Sequence, residues 1–236
     1  MKLPLTALSI AGLALVLLGM AGPAYRLGAS LPTAFMLLRW GAYAGAAAAL
    51  FALAVAIYAY RRKLRRDLSI AVVAAIAGAT AFAIPYAWQR RAATVPPIHD
   101  ITTDLENPPA FQAVVPLRAE SPNSLERPDT LAAQQREGYP DLAPVTLSMA
   151  PDQAFDRALA VAQDKGWEIV TADKAAGRIE GTDTTRFFGF KDDVVIRLTP
   201  WGSGTRVDMR SVSRVGRSDV GTNAQRIEDF LGELES

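Results

Sequence analysis

The sequence predicts an α+β membrane protein, with three transmembrane helices followed by a soluble two-layer domain. Three observations support this class. Long apolar stretches dominate the first third of the chain, ten of the 15 prolines fall between residues 96 and 151, and strand and amphipathic-helix patterns fill the remainder. We therefore divide the chain into a membrane domain (1–91), a proline-rich segment that packs on or links to the next domain (92–147), and an α+β domain (148–236).

Charge is distributed unevenly along these parts. Up to Arg91 the chain has 10 Lys and Arg against one acidic residue, and the remainder has 15 against 23, so the net charge of +1 averages two unlike halves. The soluble part lacks the basic stripe that a nucleic-acid phosphate backbone requires. Zero cysteines exclude disulfides, thiolate metal sites, a cysteine nucleophile and a cysteine-linked lipid anchor.

The apolar stretches predict spans at about 3–21, 36–60 and 68–88, each long enough to cross a hydrocarbon layer about 30 Å thick. The RRKLRR loop between the second and third spans belongs in the cytoplasm by the positive-inside rule. Hence the amino terminus is expected inside, and the C-terminal domain in the periplasm of a bacterium. The first span also fits a cleavable signal peptide, although its length favours a retained helix, and both interpretations leave the domain outside.

Small residues recur every four positions in two of the spans. Gly41, Gly45 and Ala49 share one face of the second span, and Ala74 and Gly78 share one face of the third. Such motifs let helix backbones approach closely. We expect the two spans to form a packed hairpin, and we favour packing within one chain over an oligomer seam.

The proline-rich segment predicts extended, mostly irregular chain. His99, Asp100 and Asp104 lie in it and could in principle ligate a metal. Their spacing matches no recognised metal motif, so we favour a structural role and assign neither a metal nor a cofactor.

The C-terminal domain follows the order α-β-β-β-β-α, a four-stranded antiparallel sheet with two flanking helices. Thr222 and Gln225 have the spacing of a capping box that opens the last helix. The helices should cover the apolar face of the sheet, and the charged face should stay open or lie under the proline-rich segment. The predicted elements are a helix from Pro151 to Gly166, strands at 167–172, 178–184, 194–199 and 205–213, and a helix from 222.

Two long segments, GRIEGTDTTRFFGFKDDVVIRL (177–198) and VDMRSVSRVGRSDVGTNAQRIEDFL (207–231), closely resemble the bacterial and plastid family called domain of unknown function 1499. The resemblance covers most of 97–234, and the three preceding spans resemble a subtype common in alphaproteobacteria. It implies no activity, since the family has none assigned. Members often begin the domain with a cysteine-containing segment, whose place PPIHDITTD takes here. The arrangement is also similar to helix-grip domains of envelope assembly lipoproteins, in topology only.

The RSVSRVGRSDVGTN stretch concentrates groups that suit an anion at a strand end and a helix start. A competing interpretation is structural, because Asp192 and Asp193, beside Lys191 in the neighbouring loop, could pair with Arg210 or Arg214. We favour this structural lock, and we expect Phe187, Phe188 and Phe190 to fill the core rather than to dip into a membrane. The candidate ligand-binding residues are Arg210, Arg214, Arg217, Ser218, Asp219 and Asn223.

These observations favour a non-enzymatic role, with no catalytic residue assigned. The favoured function is an inner-membrane-anchored periplasmic module that binds an anionic lipid, glycan or protein partner of the cell envelope through its arginine-rich end. The alternative is a periplasmic hydrolase that uses Asp192, Asp193 or Asp219 on a phosphate- or sugar-acid-type substrate. A transporter subunit ranks last, since no acidic or histidine side chain lies deep in a span.

Overall fold

The computed structural model describes residues 2–236, which divide into two compact units. One contains the chain up to Arg91 together with Arg186–Gly189, and the other contains Ala92–Thr185 and Phe190–Ser236. The first unit holds three helices that are long and apolar enough to cross a membrane: α1 (Leu3–Arg26), α2 (Leu31–Arg61) and α3 (Arg65–Ala92). Each helix extends beyond the predicted span, at the end of α1 and at both ends of α2 and α3.

Helices α2 and α3 approach closely at their small residues. A Cβ atom placed on Gly45 would lie 2.8 Å from the carbonyl oxygen of Gly78, and one on Gly78 would lie 2.6 Å from the carbonyl oxygen of Gly45. Real Cβ atoms do not approach backbone so closely, so both glycines are required for this packing. The predicted close approach within one chain is therefore present.

The second unit is built on an antiparallel sheet. Its elements are β1 (Asp100–Thr102), a 3-10 turn (Val115–Arg118), α4 (Asp129–Gly138), β2 (Val145–Leu147), α5 (Pro151–Asp164), β3 (Glu168–Asp173), β4 (Arg178–Thr184), β5 (Lys191–Trp201), β6 (Gly204–Ser213) and α6 (Thr222–Glu235). Across the described residues the sheet has six strands, with the order β1-β6-β5-β4-β3 and with β2 also paired to β6.

The prediction of a four-stranded sheet is wrong. Two additional strands, β1 and β2, come from the segment expected to be irregular, and both pair antiparallel with β6, opposite residues 210–212 and 205–207 respectively. Each has three residues, which is too short for an alternating pattern to stand out among the prolines. The proline-rich segment therefore completes the sheet.

Both faces of the sheet are covered. On one face α5 and α6 bury an apolar core that includes Ile196 and Met209, and Trp167 stacks on Phe230 with ring centroids 5.3 Å apart. On the other face a smaller cluster contains Phe111 and Val114 from the proline-rich segment and Val195 and Val212 from the sheet. The expectation that Phe187 fills the core is wrong, since its side chain is 47% exposed.

The α2–α3 contact leads to a matched pair of glycine substitutions. Gly45→Ala adds a methyl group against backbone and should destabilise the hairpin by about 1–3 kcal/mol, a typical cost of overpacking. Gly19→Ala in α1 adds the same group where nothing lies within 4 Å and should cause no loss of stability. Thermal unfolding of both variants in detergent, followed by circular dichroism, tests the contrast. Equal midpoints for the two variants would contradict it.

Candidate functional site at the arginine-rich strand end

The arginine-rich stretch begins on β6 and continues through a loop to α6. Gly216 and Gly221 take positive φ angles of 92° and 79°, which turn the chain twice between the strand and the helix. Val220, a β-branched residue, also lies at a φ of 55°, an uncommon conformation that the surrounding contacts must hold in place. The loop is therefore a defined turn structure.

Arg210 lies on the face of β6 that the proline-rich segment covers. Its Nε and Nη2 donate to the two carboxylate oxygens of Asp100 at 3.0 and 2.8 Å, and its guanidinium lies over the ring of Phe111. Arg127 also pairs with Asp100, with Nη1 2.9 Å from the carboxylate. Burial lowers the pKa of Arg127, and Arg210 lowers it further against the charge of Asp100. One buried carboxylate thus holds two arginines.

Arg214 and Arg118 share the carboxylate of Asp193 in the same way as Arg210 and Arg127 share that of Asp100. The Nε and Nη2 of Arg214 donate to the oxygens of Asp193 at 2.9 and 2.8 Å, and Arg118 from the 3-10 turn binds the same carboxylate. Asp193 is fully buried and also accepts from the hydroxyl of Thr182 at 2.7 Å. Burial alone would raise the pKa of Asp193, but the hydrogen bonds from Arg214, Thr182 and Arg118 lower it below its ordinary value.

The loop residues have mostly local contacts. The side chain of Arg217 is exposed, while its carbonyl oxygen lies 3.3 Å from Nδ1 of His99. The hydroxyl of Ser218 accepts the N–H of Val220 at 3.1 Å. Asp219 accepts the N–H groups of Gly221 and Asn223 at 2.9 and 2.8 Å. Only Arg217 among the three predicted arginines therefore presents its guanidinium to solvent.

The predicted capping box is wrong. Helix α6 begins at Thr222, with Gly221 rather than Thr222 as its N-cap, and Asp219 caps the first turn by accepting the N–H of Asn223. Asp219, three residues before the first helical residue, thus fulfils the capping role that was expected of Thr222. The left-handed conformation of Gly221 brings the first turn of α6 close to the Asp219 carboxylate.

The residues of this site fall within a region that matches a known protein family. A family model described as "Protein of unknown function (DUF1499)" matches residues 100–234, which is more than half of the chain. The chain belongs to the DUF1499 family. Comparison with curated proteins finds no match. The family match begins at the first residue of β1, so the proline-rich segment from residue 100 onward and all the ion pairs described above lie within the DUF1499 domain.

On the other face of the DUF1499 sheet, a further network surrounds Arg226 of α6. Its Nε donates to Asp183 at 2.9 Å and its Nη2 to Asp192 at 2.6 Å, while Nη1 donates to the hydroxyl of Ser211 at 3.1 Å. The amide of Asn223 joins this network, accepting from Ser211 at 2.7 Å and donating to the carbonyl oxygen of His99 at 2.9 Å. Asn223 is thus buried and engaged in structural contacts.

The structure separates the two acidic residues that the sequence placed together. Asp193 pairs with Arg214, whereas Asp192 pairs with Arg226, because consecutive residues of a strand point to opposite faces of the sheet. Lys191 is exposed at the start of β5, and its carbonyl oxygen accepts the N–H of Arg214. The lock around β6 therefore uses Asp193 and Asp100 in place of the pair Asp192 and Asp193.

Sequence reasoning missed the buried partners that come from distant elements. Glu180 on β4 is fully buried and accepts the N–H groups of Gln112 and Val114 at 2.9 and 3.0 Å, which fastens the proline-rich segment to the sheet. Arg226 could have been found, since it falls four residues before Phe230 on the buried stripe of α6. Arg118 ends a 3-10 turn of four residues and Arg127 lies in irregular chain, so no periodicity in the sequence indicates that either is buried.

Two of the residues weighed as metal ligands act in ion pairs. Asp100 holds Arg210 and Arg127, and Asp104 accepts Arg197 and Arg206 at 2.9 and 3.1 Å. Hydrogen bonds from backbone N–H groups and from Arg197 outweigh burial and lower the pKa of Asp104. Within residues 2–236, no group of three or more His, Asp or Glu side chains is arranged to hold a metal ion.

The Asp193 lock predicts a large and specific stability effect. Asp193→Asn leaves Arg118 and Arg214 without a countercharge in a buried site, and it should lower the free energy of unfolding by about 3–5 kcal/mol. Glu106→Gln is the control, because Glu106 pairs with Arg136 on the surface, with 88% and 61% of the side chains exposed. It should cost less than about 1 kcal/mol. Chemical denaturation of the full chain in detergent measures both, and similar losses would refute the lock.

The same carboxylates predict loss of stability in acid. Asp193 and Asp104 have lower pKa values in the folded chain than their ordinary 3.8, so each stabilises the fold above that value. This contribution is lost as the pH falls from about 4 towards the folded pKa values. Denaturation of the full chain between pH 6 and pH 2 should show the decline, and it should be shallower in Asp193→Asn than in Glu106→Gln. Parallel curves would contradict the assignment.

Proposed function

We propose that this DUF1499 protein is a membrane-anchored, non-enzymatic binding module of the bacterial cell envelope. In this proposal the three helices hold it in the cytoplasmic membrane, and the five basic residues of the RRKLRR loop stay in the cytoplasm by the positive-inside rule. An odd number of crossings from a cytoplasmic amino terminus would put the DUF1499 domain in the periplasm. Its partner would be an anionic component of the envelope.

The observation that carries the proposal is the contrast between Arg217 and its two neighbours. Arg210 and Arg214 are engaged with buried carboxylates, while Arg217 is exposed on a loop held by Asp219 and His99. A guanidinium on an ordered loop loses less conformational entropy when it binds an anion than one on a flexible tail. The hydroxyl of Ser218 accepts one hydrogen bond and still has its own proton to donate. We therefore propose Arg217 with Ser218 as the contact to the anion.

The hydrolase remains the second candidate because of one observation. Burial raises the pKa of Asp219, and the nearby charge of Asp192 adds to the effect, which is the environment of a carboxyl that could act as a general acid. Asp219 also accepts two backbone N–H groups, and Asp192 is bonded to Arg226. These contacts favour a structural role for both carboxylates, and we rank the hydrolase below the binding module.

Native mass spectrometry of the full chain, extracted from its membrane in mild detergent, tests the binding module. Wild-type protein should carry a bound lipid or glycan mass that is lost in Arg217→Gln, because a charge-assisted hydrogen bond contributes about 1.5–3 kcal/mol, roughly 10- to 100-fold in affinity. Arg136→Gln removes one exposed charge at another position of the same domain and should keep the mass. Identical spectra for all three proteins would refute Arg217 as the contact.

A further inference from the structure

The turn between α2 and α3 concentrates positive charge that has no acidic partner in the ion pairs of residues 2–236. Asp67 is the one acidic residue close in sequence, in the first turn of α3. Among the described residues of the DUF1499 domain, by contrast, nine arginines pair with carboxylates. The basic residues of the turn are Arg61, Arg62, Lys63, Arg65 and Arg66.

The turn itself is tightly constructed. The N–H of Lys63 donates to the carbonyl oxygen of Tyr60 at 3.1 Å, and the N–H of Leu64 donates to that of Ala59 at 2.9 Å. Lys63 lies at a φ of 58°, the left-handed conformation that ends many helices. These hydrogen bonds end α2 at Arg61 and allow α3 to begin at Arg65. The two helix ends are therefore held beside each other by a connection of three residues.

A cleft of about 260 Å³ opens at this turn. Two of its lining side chains are cationic and the others are apolar or aromatic, which is the lining that a charged group attached to a hydrocarbon chain requires. Its volume lies just below the range of about 300–1,000 Å³ for small-molecule sites, so it suits a headgroup and not a whole lipid. The lining residues are Ala59, Tyr60, Lys63, Leu64, Arg65 and Leu68.

We propose that this cleft binds the headgroup phosphate of an anionic phospholipid such as phosphatidylglycerol. Lys63 and Arg65 supply the positive charge, and Leu64 and Leu68 face the glycerol and the first acyl carbons. The cleft lies at the ends of two helices that are long enough to cross the hydrocarbon layer, and lipid phosphates lie at that depth. A zwitterionic headgroup has its own positive charge and gains less from the pair of cations.

This site is independent of the proposed contact at Arg217, since it lies on different residues in the other unit. The probes are phosphatidylglycerol and phosphatidylcholine of matched chain length, added separately to the full-length protein in detergent and measured by native mass spectrometry. Wild-type protein should bind phosphatidylglycerol at least tenfold more tightly than phosphatidylcholine. Equal affinities would overturn the proposal, whatever the variants do.

The test variant combines Lys63→Gln with Arg65→Gln. With about 1 kcal/mol per basic residue near an anionic surface, its affinity for phosphatidylglycerol should fall about 30-fold, and its affinity for phosphatidylcholine should stay unchanged. The control combines Arg90→Gln with Arg91→Gln, which removes two charges from the other end of α3 and should change either affinity less than threefold. Equal losses in both variants would indicate general charge attraction and overturn the site, as would no loss in the test variant. Arg65→Lys, which keeps the charge, should retain most of the affinity.

Discussion

The sheet of the second unit has two buried faces, and one of them carries charge. Asp193 is the centre of that face, because it lies on a middle strand, is fully buried and accepts hydrogen bonds from Arg118, Arg214 and Thr182. A buried carboxylate without such partners would be too costly to keep ionised. The proline-rich segment is therefore a structural necessity, since it supplies Arg118 to this buried ion pair.

Each charged position on this face is matched in the same manner. Asp100 takes arginines from β6 and from the segment, and Asp208 with Asp104 forms a four-membered group with Arg197 and Arg206. Buried ion pairs are often no more stabilising than apolar packing, but they are strongly direction-dependent. The bidentate pair of Arg210 with Asp100 fixes the position of the proline-rich segment relative to β6. Arg210 and Arg214 of the arginine-rich motif are thus engaged in structural ion pairs, and Arg217 is the exposed arginine on which the proposed binding contact depends.

The sequence predicted the elements whose signal is local and missed the contacts that join distant segments. Helices α5 and α6 were placed closely because apolar residues recur at helical spacing along them. Strand β4 was placed at its observed bounds because the turn at 173–177 marks where it begins. Strands β1 and β2 have three residues each and owe their existence to a free edge on β6, which only the folded chain provides. The same limit applies to the site. An arginine surplus and an acidic pair were visible, but the pairing of Asp192 with Arg226 needed the pleat of β5 and the position of α6.

The position of β6 in the sheet has a consequence for how the domain can be made in the cell. Strands β1 and β2 come early in the chain, yet both pair with a strand that is synthesised many residues later, and β1 is joined to β6 across a separation of about 110 residues. The carboxylate of Asp192 pairs with Arg226, which follows β6 in the last helix. The sheet of this domain can therefore be completed only after β6 has been synthesised, and removal of α6 would leave Asp192 without Arg226.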